Sequence, residues 1–223
     1  MPTASAIILS YARVNNLSSI LDSLLILPFL DDIVVWHNGP RRLTLADIGV
    51  VDSASRVVLV NCQENKYTWG RFCACQIVKH RAVLTQDDDV LVKNWPDIFA
   101  AWKPESVAAA LRIGHLRQDS RYHWGQSHEV LLGWGSVFDS RMVSAIFQSY
   151  IDHYGRDHVL YRKADRLFTI LHNRPHSILK ANFVELEGAN DVAVALYARD
   201  DHERLTHIAR RRALALLGIT YAD

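Results

Sequence analysis

Three consecutive carboxylates, Asp87, Asp88 and Asp89, follow a short apolar run at 82–85 and precede a second at 90–92. Like charges held within a few ångströms repel and raise one another's pKa unless a cation neutralises them. A divalent ion resolves that conflict. Hard Mg²⁺ or Mn²⁺ takes carboxylate oxygens, keeps positions for water and phosphate, and offsets charge growing on a departing diphosphate. In a turn at a strand end, Asp87 and Asp89 face one side as metal ligands while Asp88 is left to reach sugar or backbone. A solvated acidic turn or a helix cap would use the same three residues, so the triplet alone leaves both readings open.

The elements that must position these carboxylates are legible as alternating strand and helix signals. Residues 6–9 are a short apolar run, and Leu17, Ile20, Leu21, Leu24 and Leu25 recur at helical spacing. Pro28 stops that helix, residues 32–36 form a second β-branched run, and His37-Asn38-Gly39-Pro40 breaks it. A strand at 56–60, a helix at 71–80 and a buried strand at 82–85 follow, the last delivering the chain into the aspartates. Strands alternating with helices imply right-handed crossovers and a mixed, mostly parallel α/β sheet flanked by helices, with ligands just beyond the strands' carboxyl ends. Further on, the pattern predicts a helix from Asn94, strands at 106–112 and 129–134, and helices at 140–154, 164–172 and 202–217. Residues 114–127 form a long polar and aromatic loop of the kind that often carries function.

Composition narrows the class. The chain has 223 residues, 49% hydrophobic and 22% charged, which suits one large Rossmann-like domain rather than a disordered segment. We expect a single domain over 1–223, with a donor-binding half at 1–112 and an acceptor-binding half with a C-terminal helix at 113–223. A formal charge of +1 gives no global attraction for nucleic acid, so no nucleic-acid partner is expected. Arg204, Arg210, Arg211 and Arg212 are a local basic excess on the final helix, which reads as a solvated face and leaves peripheral membrane association open. Cys62, Cys73 and Cys75 cannot all pair and fall short of a zinc site, so reduced thiols are expected. With no basic-then-apolar leader and no run of about 18 apolar residues, the sequence reads as cytoplasmic.

Four blocks, in order, resemble the exostosin-type retaining glycosyltransferases of family 64, whose fold is called GT-A. Ile8-Leu9-Ser10-Tyr11-Ala12-Arg13, followed by Asn16-Leu17, is similar to the family's first strand and Thr-Tyr-Asn-Arg turn, with Ser and Ala replacing Thr and Asn. Ile33-Val34-Val35-Trp36-His37-Asn38 is similar to its Val-Val-Trp-Asn-Asn strand end. The most specific block joins Asn65 and Arg71-Phe72 to Ala82-Val83-Leu84-Thr85-Gln86-Asp87-Asp88-Asp89. The last runs from Val130 to Phe138.

What the resemblance implies is a metal-dependent enzyme that moves a sugar, N-acetylhexosamine by expectation, from a UDP-sugar to a hydroxyl of a carbohydrate or glycolipid acceptor, with retention. Tyr11 and Asn38 would lie near the base, Arg13 near the diphosphate, and Asn65 and Arg71 at ribose and phosphate. Asp87 and Asp89 would hold Mn²⁺ or Mg²⁺, with Asp88 beside them in the donor site and Asp89 also serving the chemistry. Asp165, in Lys163-Ala164-Asp165-Arg166, matches the family's acid near the anomeric carbon. Whether it stabilises positive charge, acts as base or attacks as nucleophile stays open. Its family neighbours, an acid and a disulfide cysteine, are absent here. Arg204 matches the family's C-terminal arginine at the diphosphate, with Arg210 as the alternative. An inverting family 2-type or GDP-mannose-using transferase, and a non-catalytic nucleotide-sugar-binding module, are the rival readings.

Other residues are weighed beside these. His115, His123 and His128 are spaced too irregularly for a metal site and suit a polar acceptor cleft. Trp124 and Trp134 offer ring faces to a sugar, although core packing serves Trp134 equally. Ser10, Ser127 and Ser136 lack a nucleophile-elbow setting, and neither a dinucleotide-binding nor a Walker glycine loop is present.

Overall fold

The computed structural model describes residues 3–51, 56–111, 123–124, 127–180, 182–189 and 199–220. Strand β1 (Ala4–Ser10) leads through a single 3-10 turn into α1 (Leu17–Leu25), whose buried Leu17, Ile20, Leu21 and Leu24 are the helical stripe expected from sequence. β2 (Leu30–His37), β3 (Val57–Asn61), α2 (Trp69–Ala74), β4 (Ala82–Asp87), β5 (Val90–Val92), α3 (Trp95–Ala101) and β6 (Val107–Leu111) follow. Then come β7 (His123–Trp124), β8 (Ser127–His128), β9 (Trp134–Asp139), α4 (Met142–Tyr154), α5 (His158–Leu171), β10 (Ser177–Lys180), β11 (Phe183–Glu185) and α6 (His202–Leu216).

Seven strands form the main sheet in the order β10-β6-β9-β4-β1-β2-β3, in which only β9 runs antiparallel to its neighbours. This is the mixed, mostly parallel α/β sheet expected. Period-two alternation sorts the strand side chains onto two faces. Ile7, Val34, Val83 and Phe138 pack with Phe72, Phe147 and Phe168 of the helices on one face. Ile8, Val35, Leu84 and Val137 pack with Ile20, Trp95 and Ile98 on the other. Register aligns Leu9 with both Trp36 and Asp87, so the carboxyl ends of β1, β2 and β4 open at one edge.

Three expectations are corrected. The strand placed at 129–134 lies instead at Trp134–Asp139; Val130 and Leu132 are buried but run into the sheet as a turn. Gly135, at φ +104 and within 2.9 Å of Val92 Cγ2 for any added Cβ, makes that entry in a conformation that favours glycine. The helix expected at 71–80 starts at Trp69 and ends at Ala74. The helix expected at 164–172 begins at His158, where the Asp157 carboxylate caps it by accepting from the Leu160 N–H at 2.9 Å. The short strands β5, β10 and β11 were not expected. Of the loop at 114–127, the structure describes only the paired β7 and β8 strands, so His115 lies outside the described residues. No helix among the described residues is long and apolar enough to cross a membrane. All three cysteines are free.

Candidate functional site

The strand-end edge bears a cavity of about 560 Å³ whose wall includes Tyr11, Arg13, Asn38, Asn65, all three aspartates of the 87–89 turn, and Asp165. β4 delivers Asp87 to this wall, and the turn between β4 and β5 delivers Asp88 and Asp89. The Asp87 N–H donates to the Gly133 carbonyl at 2.8 Å, and a Cβ at Gly133 would sit 2.0 Å from Asp87 Oδ2. Glycine is therefore required for the close approach that seats this carboxylate.

The three carboxylates have different surroundings. Asp88 is buried; it accepts from the Tyr11 N–H at 2.8 Å and Arg13 Nη1 at 3.3 Å, while Asn16 Nδ2 donates to its carbonyl at 2.9 Å. Burial pushes its pKa up, partly opposed by those donors. Asp88 thus ties the turn to the end of β1. Asp89 pairs with Arg13 Nη1 at 3.6 Å on Oδ2, and its buried Oδ1 has no hydrogen-bond partner among the described residues. Burial, then repulsion from Asp87, pushes its pKa up to about 7. An orphaned carboxylate oxygen beside a second carboxylate is a cost the fold retains at this edge.

Arg71 lies wholly buried beneath the cavity floor. It donates to both oxygens of Asp165 at 3.0 and 3.1 Å, to Asp87 Oδ1 at 2.8 Å, and to the Thr85 hydroxyl. Burial opposes its charge, but Asp165 and Asp87 outweigh burial and raise its pKa. Its fork therefore fastens two carboxylates, one from β4 and one from α5, and leaves no open face toward a phosphate. Asp165 is raised by burial and lowered by Arg71, with the burial effect larger.

Asn38 is similarly engaged. Its Nδ2 donates to the Tyr67 carbonyl at 3.0 Å and its Oδ1 accepts from the Lys66 N–H at 3.0 Å, which pins the loop carrying Asn65 and Tyr67. Asn65 Oδ1 accepts from the Tyr67 N–H at 2.7 Å. Arg13 Nε donates to the Gly188 carbonyl at 2.7 Å, drawing the 187–189 turn over the aspartates. Arg204 is exposed on α6 and is not part of the cavity wall. Arg210 reaches Glu129 at 2.9 Å, and Arg212 reaches Asp157 at 2.5 Å, so two of the basic residues on α6 turn inward while Arg204 and Arg211 stay exposed.

Sequence reasoning missed the opposite wall. Arg162, Lys163, Arg166 and His202 face the cavity from α5 and α6. Glu129 pairs with both Arg166 and Arg210. The apolar Val159 and Leu160, helically spaced ahead of Leu167 and Phe168, were the available signal, and placing the helix start at 164 cut them and the charged Arg162 and Lys163 from the helix. Trp134 also lines the cavity, with its ring 5.8 Å from that of Phe183.

One trio of His, Cys, Asp or Glu among the described residues brings its ligand atoms within 4.8 Å of one another: Asp31, Asp32 and His80. It sits where β2 and β4 begin, at the opposite edge from the cavity.

A model of the glycosyl transferase family 64 domain matches residues 4–134. No curated protein sequence matches the chain. Solved structures do. S. aureus TarS 1-349 in complex with UDP-GlcNAc gives a TM-score of 0.60 at 16% identity over 95% of this chain and 66% of that one. The galactosyltransferase LgtC with donor and acceptor sugar analogues gives 0.51 at 11% identity over 98% and 97%. The 4-diphosphocytidyl-2C-methyl-D-erythritol synthase of Anaerococcus prevotii gives 0.52 at 15% identity over 89% and 99%. At these identities the likeness is one of fold, and the fold is GT-A.

Proposed function

The chain belongs to glycosyl transferase family 64, and from that premise we propose that it transfers a sugar from a UDP-sugar to an acceptor hydroxyl, with Mn²⁺ or Mg²⁺ held by Asp87 and Asp89. The observation that carries this reading is the Oδ1 of Asp89, unpartnered among the described residues and buried beside Asp87 on the wall of the cavity. Hard oxygen donors, a pKa raised by burial and by Asp87, and a missing partner are what a divalent cation would complete. When bound, such an ion supplies positive charge against the diphosphate leaving group.

The protein's own residues do the rest. Asp88 and Asn16 fix the turn to the end of β1. Asn38 holds the 65–67 loop at the cavity wall, the place this reading gives to base and ribose. Arg71 favours the anionic form of Asp165 against the effect of burial and aims it from α5 toward the space that the sugar would occupy in this reading. From there Asp165 stabilises positive charge on the reacting carbon or takes the acceptor proton. Retention rests on the exostosin-type resemblance alone; an N-acetylhexosamine donor rests on it too, and the UDP-GlcNAc bound by TarS supports that donor. Reading the chain as one domain, cytoplasmic, with a carbohydrate or glycolipid acceptor belongs to the same proposal.

Calorimetry of UDP, GDP and their common sugars, with and without Mn²⁺, tests it on the wild type and an Asp87→Ala, Asp89→Ala variant. The expected result is metal-dependent UDP binding that weakens at least about tenfold in the variant, a loss of ~1.4 kcal/mol. Preference for GDP would redirect the donor assignment. Absence of nucleotide binding under all conditions would overturn the reading.

A further inference from the structure

Helix α5 breaks at Lys163, whose φ of −128° and ψ of 22° are not helical. The residues around the break are charged and buried: Arg162 is 8% exposed and Lys163 5%. The Arg162 guanidinium lies over the Tyr67 ring at 5.8 Å and donates through Nη1 to Asp201 at 2.6 Å. Its Nε and Nη2 have no hydrogen-bond partner among the described residues. Lys163 Nζ reaches Thr206 Oγ1 at 2.8 Å and His202 Nδ1 at 3.1 Å, neither of which is a carboxylate. All of Arg162, Lys163 and His202 face the cavity.

We propose that Arg162, Lys163 and His202 form an oxyanion subsite in the cavity wall, separate from the 87–89 carboxylate turn, that takes a phosphate or carboxylate group of a substrate. Two donors of a buried arginine without acceptors among the described residues, beside a buried lysine amine whose partners are a hydroxyl and an imidazole, are a deficit of negative charge that an oxyanion fills. Two acidic neighbours among the described residues are already engaged. Glu129 is occupied by Arg166 and Arg210, and Asp201 by a single guanidinium nitrogen of Arg162. The subsite rests on the glycosyl-transfer reading only for which substrate carries the anion: the donor's diphosphate or an acid group on the acceptor.

Anion binding there is linked to a proton. Burial, then repulsion from Arg166 and Arg162, brings the Lys163 pKa down to about 7, with Glu203 and Glu129 opposing. His202 and Thr206 face it from α6. An arriving oxyanion raises that pKa, so at pH 8 the protein takes up most of a proton as it binds.

Calorimetry at pH 8 in two buffers of different ionisation enthalpy reads this uptake, using sulfate, an anion that does not titrate there, and UDP with Mg²⁺. Uptake is expected with the wild type. In Lys163→Arg, binding is retained and the uptake is lost; in Arg162→Gln, anion affinity falls about tenfold or more. Sulfate that still binds with uptake to the UDP-saturated protein assigns the subsite to an acid group on the acceptor. Sulfate excluded by UDP, with the uptake moving to the UDP titration, assigns it to the donor's diphosphate. Uptake that persists in Lys163→Arg, or binding without uptake that Arg162→Gln leaves unchanged, overturns the proposal. In that last case metal-dependent UDP binding leaves the transferase reading intact. Sulfate binding with uptake and no UDP binding keeps the subsite and overturns the donor reading.

Discussion

The two edges of the main sheet each gather carboxylates, and they treat them in opposite ways. At the amino edge, Asp32 accepts from the Ser5 hydroxyl at 2.6 Å and the Lys79 N–H at 3.3 Å, and Asp31 accepts from His80 Nε2 at 2.8 Å. The hydrogen bond from His80 is the main reason the Asp31 pKa is lowered. At the carboxyl edge, Asp89 has an oxygen with no partner among the described residues and a pKa pushed up to about 7 by burial and by Asp87. Counting ligand atoms favours the amino edge, where three converge within 4.8 Å. Counting unmet demand favours the carboxyl edge. A carboxylate with protein donors is finished structure, whereas one that is buried, crowded and unpartnered is prepared for something the chain does not itself supply.

Substitutions at the two edges should separate them most widely in turnover. Asp87→Ala and Asp89→Ala are each expected to lower sugar transfer, or donor hydrolysis measured as released UDP, by about 10²–10³-fold. Asp31→Ala, which removes a half-exposed carboxylate at the far edge, is expected to stay within about twofold, the range of a surface change. Equal losses at both edges would erase the distinction and move the metal question to Asp31, Asp32 and His80.

How much of this was legible from sequence follows the same division between local and distant causes. β1, α1, β2 and β4 declared themselves because their burial patterns are local: alternating or continuous apolar runs ended by Pro28 or by the His37-Asn38-Gly39-Pro40 turn. The carboxylate turn was legible for the same reason, being flanked by two such runs. β10 and β11 were not, because each is short and exists only by pairing with a distant partner, Ser177 with Ala108 and Phe183 with Val92. The 129–134 segment misled because buried Val130 and Leu132 read as strand, while the strand is set by register against β4, where Val137 meets Leu84. The start of α5 was missed because its buried face includes Arg162 and Lys163, which no apolar period reveals. The roles of Arg71 and Asn38 were legible only by type. Both are polar residues at strand and helix ends, but the structure engages the Arg71 donors with Asp165 and Asp87 and both ends of the Asn38 amide with the 66–67 backbone, which sequence spacing cannot show.

Stability offers a smaller but sharper contrast. Asp32→Ala strips the acceptor from the buried Ser5 hydroxyl and from the Lys79 N–H, a loss of about 1–3 kcal/mol. For a chain of this length that lowers Tm by several degrees, at ~2–4 °C per kcal/mol. Asp89→Asn carries the opposite expectation, because it removes a buried charge that repels Asp87. A Tm at or above wild type for Asp89→Asn, beside a lowered Tm for Asp32→Ala, would mark one edge as built for folding and the other as strained for function. A fall in both would mean that Asp89 is structurally satisfied after all.

The smallest expected effect is the most specific, because it has a sign. Asp89 has a folded pKa of about 7, above the ~4 of an unfolded aspartate. The folded chain therefore holds this proton more tightly, and the metal-free protein loses stability as pH rises from about 4 through 7. A cation that binds the ionised carboxylates reverses that loss where they are ionised and competes with protons where they are not. Mn²⁺ should accordingly raise Tm by a few degrees at pH 8 and by much less at pH 5.5. The increment at pH 8 should vanish in Asp89→Asn and persist in Asp31→Asn. Asp31, whose pKa is lowered, stays ionised at both values, so a metal held at the amino edge would not draw this pH difference from Asp31. A metal held at the amino edge would instead lose its increment in Asp31→Asn. Differential scanning fluorimetry at the two pH values on these three proteins therefore reads which edge binds, and a pH-dependent increment that survives Asp89→Asn would place the ion away from the 87–89 turn.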